Sequence, residues 1–227
     1  MGSIEDVKRA AARAALAELP EEGVVGLGTG STATLFIDAV GELVAAGRRL
    51  VGVPTSEASR AQAIALGIPL ASDDGPWDIA VAVVGADEVS PELDLVKGGG
   101  GAHTREKIIN YSARRNVIVV DESKLSPRLG TRWAIPIEVL TFAAAATARH
   151  LERFGEPVLR MAGAIPRRTD AGNVIYDLRC GAIADPGELD RALHAIPGVV
   201  ETGLFVGRAD VVLVARAAGV ERLTRRA

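Results

Sequence analysis

The sequence predicts an α/β fold in which a parallel β-sheet is covered by helices on both faces. Two observations predict it. Short, almost wholly apolar runs, typical of strands buried on both faces, occur at residues 78–85 and 116–121, with shorter apolar runs at 24–28 and 50–53. Stretches with helical spacing of apolar residues alternate with these runs. Strands that alternate with helices form right-handed βαβ units, and these assemble into a parallel sheet.

The helices of this part are bounded by residues that commonly mark helix ends. They are predicted over residues 3–20, 31–46, 56–66 and 104–115. The first begins with Ser3, followed three positions later by Asp6, a pattern typical of a helix start. Gly47 and Gly67 follow the second and third helices, as glycine commonly does at a helix end. A long loop is predicted between residue 85 and the fourth helix.

The pattern changes after about Gly130, where a smaller unit is predicted. Its elements are a strand at 135–137, a helix at 141–154, strands at 157–161 and 174–180, a helix at 186–196 and a strand at 199–206. The order β-α-β-β-α-β is typical of a ferredoxin-like domain. Asp170, Gly172 and Asn173 favour a turn between its two middle strands.

The C-terminal segment is predicted to return to the first sheet. Residues 209–215 form another apolar run. Arg222, Arg225 and Arg226 suit the last turn of a closing helix, since cations are favoured at the negative end of the helix dipole. The predicted organisation is a Rossmann-like domain over 1–129 and 204–227, with a smaller α+β ferredoxin-like domain over 130–203.

Composition and charge exclude several classes of protein. The 227 residues carry a net charge of −3 without a long basic run, and only 4% are aromatic, which argues against nucleic-acid binding. The single cysteine, Cys180, excludes an internal disulfide and a cysteine-rich zinc module. No secretory signal and no apolar run long enough to span a membrane are present, so a soluble, cytoplasmic protein is expected.

A loop rich in glycine separates the first predicted strand from the second predicted helix. Residues 26–32 read GLGTGST, and in this position backbone N–H groups and the helix dipole favour an anion such as phosphate. The hydroxyls of Thr29, Ser31 and Thr32 are further possible donors. The alternative is a tight turn in which Ser31 is only the N-cap of the helix. The spacing fits neither a dinucleotide-binding motif nor a P-loop.

A second group of polar residues surrounds the four consecutive glycines at 98–101. Asp87 follows a buried strand, where ligands bind in open α/β sheets, and Lys97 directly precedes the glycines. Glu106 falls in the first turn of the next predicted helix. These groups suit proton abstraction next to a carbonyl, because a carboxylate accepts the proton while an ammonium group and backbone N–H donors stabilise the enolate oxygen.

Structural explanations compete with this interpretation for several charged residues. Glu106 could serve only to favour the helix dipole. Glu88, Glu92 and Asp94 are interpreted as solvated loop charges, and His103 as a polar residue at a helix start. The glycine run is harder to explain structurally, because four consecutive glycines carry an entropic cost that a simple connector would avoid.

Five segments together resemble the ribose-5-phosphate isomerases of the A type. They are residues 26–32 (GLGTGST), 85–89 (GADEV), 97–107 (KGGGGAHTREK), 121–124 (DESK) and 196–207 (IPGVVETGLFVG). The resemblance implies interconversion of ribose 5-phosphate and ribulose 5-phosphate through an enediolate, without a cofactor or metal, in the non-oxidative branch of the pentose phosphate pathway. It also implies a homo-oligomer, most often a dimer or a tetramer.

The same resemblance implies a role for each matching residue. Glu106 would be the base that moves a proton between C1 and C2, and Asp87 would assist ring opening or carry the hydroxyl proton. Lys97 and the glycines would stabilise the enediolate oxygens. The implied substrate-binding residues are Thr29, Gly30, Ser31, Thr32, Val84, Gly85, Ala86, Asp87, Lys97, Gly98, Gly99, Gly100 and Lys124. The phosphate is expected near Ser31, Thr32 and Lys124, with Lys8 adding positive charge.

One residue departs from the family pattern in a way that concerns the substrate. Val84 stands where the family usually has an aspartate, three residues before Asp87. A carboxylate that would bond sugar hydroxyls is therefore missing, a loss of roughly 0.5–1.5 kcal/mol for each bond. Activity is nevertheless expected, because Glu106, Asp87 and Lys97 are in place. His103, where an apolar residue is common, is a lesser departure.

Two other functions are weighed against the isomerase. A non-catalytic sugar-phosphate sensor is the alternative, since related α/β domains bind effectors in transcription regulators. Such a regulator would usually carry a DNA-reading helix-turn-helix, which is not expected in the short segment before Gly26. A nicotinamide-dependent dehydrogenase is disfavoured, because Ser31 stands where the dinucleotide motif requires glycine. An assay for ketose formation distinguishes the enzyme from the sensor.

Overall fold

The computed structural model describes residues 4–225, and the chain divides into two compact units. The first unit comprises the residues up to Ala86, Arg105–Lys124 and the residues from Arg208 onward. The second unit comprises Asp87–Thr104 and Leu125–Gly207. The chain therefore passes from one unit to the other four times.

The helices and strands follow one another along the chain in an alternating order. They are α1 (Ile4–Ala15), β1 (Glu22–Leu27), α2 (Ser31–Ala45), β2 (Arg49–Pro54), α3 (Glu57–Ala65), β3 (Ile79–Val84), β4 (Glu88–Val89), β5 (Leu95–Val96), α4 (His103–Ser112), β6 (Asn116–Asp121), β7 (Ile135–Val139), α5 (Ala144–Leu151), β8 (Glu156–Leu159), β9 (Met161–Ala162), β10 (Ile165–Pro166), β11 (Val174–Arg179), α6 (Pro186–His194), β12 (Val199–Thr202), β13 (Leu204–Phe205), β14 (Val211–Arg216) and β15 (Gly219–Thr224). Short 3₁₀ helices cover Leu16–Glu18 and Glu122–Lys124. The predicted helix start at Ser3 lies outside the described residues. Within residues 4–225, no helix combines the length and apolar character needed to cross a membrane.

The first unit is built on a six-stranded sheet with the strand order β15-β14-β6-β3-β1-β2. Strands β14, β6, β3, β1 and β2 run parallel, and β15 is antiparallel to β14. Ala11 of α1 and Phe36 of α2 share one hydrophobic core with Val25 of β1. Ile109 of α4 belongs to a second core with Ala82 of β3, on the opposite face. The predicted parallel sheet with helices on both faces is confirmed.

The C-terminal residues form a strand, so the predicted closing helix is wrong. β15 pairs with β14 in an antiparallel hairpin that begins its return at Gly219, where φ is +135°. Arg222 lies in this strand, and its Nε is 3.3 Å from Glu18 Oε1. The arginine charge is thus balanced by a carboxylate instead of by a helix end. Arg225 follows the strand, and Arg226 lies outside the described residues.

The second unit contains a four-stranded antiparallel sheet with the strand order β12-β7-β11-β8. Leu151 of α5 and Leu193 of α6 share a core with Ile137 of β7. The predicted smaller α+β domain with the order β-α-β-β-α-β is therefore present, with an unpredicted hairpin, β9–β10, between β8 and β11. The predicted turn at 170–173 is also present, closed by a hydrogen bond from the Thr169 N–H to the Asn173 carbonyl oxygen.

A small sheet, β13-β5-β4, replaces most of the long loop predicted after residue 85. Leu204 and Phe205 of β13 pair with Val96 and Leu95 of β5, and β4 pairs with the other side of β5. Because of these pairings, the boundaries differ from those predicted at 130 and 204. Residues 87–104, 125–129 and 204–207 belong to the second unit.

Candidate active site

The GLGTGST loop connects the carboxyl end of β1 with the first turn of α2. The Gly28 N–H donates to the Val83 carbonyl oxygen at 3.0 Å. A Cβ on Gly28 would lie 2.7 Å from that oxygen, so glycine is required for β1 and β3 to approach this closely. Gly30, at φ +112°, occupies the N-cap position, and Ser31 is the first residue of the helix. The alternative in which Ser31 is the N-cap is therefore wrong.

Thr29 lies in a cluster of hydroxyl groups that was not predicted from the sequence. Its Oγ1 is 2.7 Å from Thr55 Oγ1, 2.8 Å from Ser56 Oγ and 3.2 Å from Ser59 Oγ. Ser56 also caps α3, since its Oγ accepts the Ser59 N–H at 3.1 Å. A sequence signal for the cluster existed, because Thr55 and Ser56 directly follow β2 at the carboxyl edge of the parallel sheet.

The first turn of α2 carries Ser31, which is exposed, and Thr32, which is buried. Lys8 of α1 donates a hydrogen bond from Nζ to Ser31 Oγ at 2.9 Å. A positive charge and two hydroxyls therefore meet at the N-terminal end of α2, where the helix dipole also favours an anion. This end of α2 has the chemistry of a phosphate site.

Val84 ends β3 and has no exposed surface. It is in register with Ile118 of the neighbouring β6. Its Cα would lie 2.8 Å from a Cβ on Gly28, so Val84 packs directly against the glycine loop. Gly85 and Ala86 follow it and are partly exposed.

Glu106 and Lys124 also belong to the first unit. Glu106 lies in the first turn of α4 and is 4% exposed. A solvated charge that only favours the helix dipole does not account for this burial, because burying a carboxylate is costly. Lys124 ends the short 3₁₀ helix after β6 and is partly exposed.

Asp87 and Lys97 lie in the second unit, on either side of the β4–β5 hairpin. The Asp87 N–H donates to the Val96 carbonyl oxygen at 2.8 Å, which places Asp87 beside the start of the glycine run. Lys97 is 2% exposed, and its Nζ lies 5.5 Å from the centre of the Phe205 ring. The lysine is thus a buried cation at the end of β5.

Residues 98–101 form a tight turn, closed by a hydrogen bond from the Gly101 N–H to the Gly98 carbonyl oxygen at 2.9 Å. Gly98 has φ +105°, and a Cβ there would lie 2.8 Å from Nδ1 of His103, which is buried at the start of α4. The Gly99 N–H donates to Asp87 Oδ2 at 2.7 Å. Glycine is therefore needed in this turn for close packing and for its backbone angles.

Two arginines bind the carbonyl side of this turn. Arg160 Nη1 donates to the Gly98 oxygen at 2.7 Å and to the Gly99 oxygen at 3.2 Å. Arg167 Nη2 donates to the Gly100 oxygen at 2.8 Å. Neither arginine was predicted from the sequence, since nothing local relates them to a turn more than sixty residues earlier.

Glu88 is not a solvated loop charge, and that prediction is wrong. It has no exposed surface, and its carboxylate accepts the Gly130 and Arg132 N–H groups, each at 2.6 Å. Asp94 is only partly exposed and accepts the Gly207 N–H at 2.8 Å. Glu92 is exposed, as expected. Both bonded carboxylates therefore anchor loops of the second unit.

A possible set of metal ligands lies in α6 and β12: Asp190, His194 and Glu201. His194 Nε2 is 2.8 Å from Glu201 Oε1, and Nδ1 is 2.9 Å from the Asp190 carbonyl oxygen. Both ring nitrogens therefore already have hydrogen-bond partners, an arrangement typical of a charged histidine between acceptors.

The predicted site residues are distributed over both units. The first unit holds Thr29, Gly30, Ser31, Thr32, Val84, Gly85, Ala86, Glu106 and Lys124, and the second holds Asp87, Lys97, Gly98, Gly99 and Gly100. Within the first unit the structure brings Lys8 to Ser31, and within the second it brings Asp87 to Gly99.

Comparison with known proteins identifies the family. Residues 51–219 match the family model described as ribose 5-phosphate isomerase A (phosphoriboisomerase A). The chain is 43% identical to ribose-5-phosphate isomerase A of Bradyrhizobium diazoefficiens, over 99% of this chain and 98% of the relative. It is 46% identical to that of Thermococcus kodakarensis, over 98% and 100%. A solved D-ribose-5-phosphate isomerase in complex with phospho-erythronic acid superposes with a TM-score of 0.95 at 43% identity, covering 99% of this chain and 100% of that one. The chain is an isomerase that belongs to the ribose 5-phosphate isomerase A family.

Proposed function

We propose that the chain interconverts D-ribose 5-phosphate and D-ribulose 5-phosphate through an enediolate, without a cofactor. The observation that carries this proposal is the turn at 98–101. There a carboxylate, Asp87, binds a backbone N–H, and a buried ammonium group, Lys97, directly precedes the turn. Such a set of groups suits a reaction in which negative charge develops on oxygen.

Glu106 is proposed as the base. In the direction from aldose to ketose, its carboxylate takes the proton from C2 of the open-chain sugar, and the electron pair moves toward the C1 carbonyl oxygen. Glu106 then returns the proton to C1 of the enediolate. The proton of the C2 hydroxyl passes to the C1 oxygen, so that C2 becomes the ketone carbonyl and C1 a CH2OH group. Burial of Glu106 supports this role, because it keeps the reacting carboxylate away from bulk water.

The turn and Lys97 are proposed to stabilise the enediolate oxygens. Backbone N–H groups fixed before the reaction do so without reorganisation, and a buried ammonium group acts more strongly than an exposed one. Asp87 is proposed to assist ring opening or to carry the hydroxyl proton. Its bond to the Gly99 N–H fixes the position of its carboxylate.

The sugar phosphate is proposed to bind at the start of α2. Ser31 and Thr32 lie in the first turn of that helix, and Lys8 already bonds Ser31. Lys124 would add a second positive charge. Thr29 is proposed to support the loop through its hydroxyl cluster, and its neighbour Gly30 supplies the backbone angle that opens the helix.

The test is an assay of the purified chain with ribose 5-phosphate and a chelator, without nucleotide. We expect ketose to form. Glu106→Gln should lose nearly all turnover and still bind phospho-erythronic acid, whereas Glu92→Gln, which changes an exposed glutamate in the same way, should keep wild-type turnover. Full turnover in Glu106→Gln would contradict the base assignment. Binding of ribose 5-phosphate without ketose formation by the wild type would favour the sensor.

The cellular setting follows from this reaction. The proposed place of the chain is the non-oxidative branch of the pentose phosphate pathway, in the cytoplasm, where phosphorylated sugars are retained by their charge. We propose a homo-oligomer, a dimer in the first instance, and light scattering of the purified protein tests it.

A further inference from the structure

Arg160 is held in a fixed orientation inside the second unit. It directly follows β8, and its guanidinium pairs with Asp177 of β11 through two bonds, Nε to Oδ2 at 2.9 Å and Nη2 to Oδ1 at 2.5 Å. The side chains are only 13% and 25% exposed, respectively. A planar guanidinium bound at two atoms by a carboxylate has little freedom to rotate.

The remaining nitrogen of this guanidinium, Nη1, binds the Gly98 and Gly99 carbonyl oxygens. The Gly98 oxygen and the Gly99 N–H belong to one planar trans peptide group and point in opposite directions. That N–H binds Asp87. One peptide group is therefore held at both ends, by Arg160 on its oxygen side and by Asp87 on its nitrogen side.

Bonds to both ends of this peptide group restrict the backbone of the turn. Glycine has the greatest backbone freedom of any residue, so four in succession do not orient their own N–H groups. A contact that fixes the carbonyl oxygens fixes the N–H groups as well, because each peptide group is planar. Donors that stabilise an oxyanion are effective only when their orientation is set before the reaction.

We propose that Arg160 is a positioning residue for the isomerase reaction, which orients the Gly100 N–H group and, through the Gly99 N–H, the Asp87 carboxylate, and that Asp177 holds it in place. The inference rests on the proposed function, since it assigns the turn to enediolate stabilisation. Arg160 does not contact the substrate in this proposal. Its effect therefore falls on the chemical step rather than on binding.

The experiment compares Arg160→Met, Arg160→Lys and Arg168→Met by steady-state kinetics with ribose 5-phosphate. Arg168 is the matched control, because it also donates to a glycine carbonyl, that of Gly172, but on an exposed turn. We expect kcat of Arg160→Met to fall about 10²-fold, the scale of a misplaced catalytic group, with KM changed less than about threefold. Arg160→Lys should retain an intermediate kcat, since an ammonium group can bond a carbonyl but not the carboxylate fork as well. Arg168→Met should match the wild type.

A rescue experiment separates positioning from folding. In Arg160→Gly, Asp177 still offers its carboxylate, so added guanidinium ion at millimolar concentration should raise kcat. The same concentration should leave the wild type and Arg168→Met unchanged. Thermal unfolding of every variant is recorded beside the kinetics.

The outcomes are distinguishable from those of the proposed function. A wild type without isomerase activity would overturn both. An active wild type whose Arg160→Met variant keeps its kcat would overturn the positioning role alone. The positioning role would also be overturned if kcat fell in all variants in proportion to their melting temperatures and guanidinium did not restore it in Arg160→Gly. A fall in kcat at nearly constant KM, reversed by guanidinium in Arg160→Gly, supports the proposal.

Discussion

The hydroxyl of Thr104 donates a hydrogen bond to Oε2 of Glu138, a carboxylate near the end of β7 that is only 1% exposed. Oε1 of the same carboxylate accepts bonds from Thr169 Oγ1 at 2.9 Å and from Asn173 Nδ2 at 2.7 Å. Three neutral donors thus surround a buried anion. Thr104 belongs to the first turn of α4, so Glu138 anchors a side chain of that turn.

The first prediction concerns this carboxylate. Glu138→Gln should lower the free energy of unfolding by about 1–3 kcal/mol, because an amide nitrogen replaces one of two oxygens that accept hydrogen bonds inside the protein. Urea unfolding measures the change. Glu152→Gln, at an exposed position after α5, should be close to neutral. Equal stability of the two variants would mean that the three donors contribute nothing to the fold.

A second prediction tests the residue that departs from the family pattern. Val84→Asp should raise kcat/KM for ribose 5-phosphate by roughly 2- to 10-fold, the equivalent of one added hydrogen bond of about 0.5–1.5 kcal/mol. The same change should lower the unfolding free energy, because Val84 is completely buried. Val84→Thr, which keeps the shape of valine, is the control. Reduced stability without a kinetic gain would show that this position does not meet a sugar hydroxyl.

A third prediction concerns the pH dependence of stability. The hydrogen bond to Glu201 raises the pKa of His194 above 6.5, helped by the Asp190 carbonyl and the two carboxylates, while partial burial opposes the shift. A histidine whose pKa is higher in the folded than in the unfolded protein stabilises the fold. This stabilisation is complete at pH values below the pKa of the unfolded state, and it is lost as the pH rises through the pKa of the folded state. The urea midpoint should therefore fall between about pH 6 and about pH 9 by more in the wild type than in His194→Gln. Parallel pH profiles of the two proteins would contradict this.

The fourth prediction uses the single cysteine. Burial raises the pKa of the Cys180 thiol. A backbone hydrogen bond opposes this shift with a smaller effect, and the negative charge of Glu88 adds to the shift. Because the thiolate is the reactive form, alkylation by iodoacetamide at about pH 8 should be much slower in the folded protein than in urea. Mass spectrometry of timed samples measures both rates. Similar rates would show that the thiol is accessible and ionises normally.

Local sequence patterns were sufficient to predict the elements whose own composition shows that they are buried. The runs at 78–85 and 116–121 are apolar on both faces, and a central parallel strand has to be so, which is why β3 and β6 were predicted closely. β15 was missed because its pairing with β14 depends on a neighbouring segment, not on its own composition. β4 and β5 are each two residues long, which is too short to show the alternation of apolar and polar residues that is typical of a strand.

The candidate site shows the same division. Glycines and charged residues next to strand ends could be identified from order along the chain, as with Asp87 and Lys97. The burial of Glu88 could not be predicted in this way, because its partners, the Gly130 and Arg132 N–H groups, follow more than forty residues later. Arg160 is separated by 62 residues from the carbonyl oxygen of Gly98 that it binds. Contacts of this kind become visible only in the folded chain.

The four passages of the chain between its two units have a consequence for folding during synthesis. β14 lies between β6 and β15 in the first sheet, and near its start Asp210 accepts the N–H of Asn116, 94 residues away. On the ribosome, β6 therefore has an open edge until the whole second unit and the residues after it have emerged. Contacts of such long range slow folding. A chain that stalls or ends before residue 211 would expose an apolar strand edge, and we expect it to aggregate or to require a chaperone.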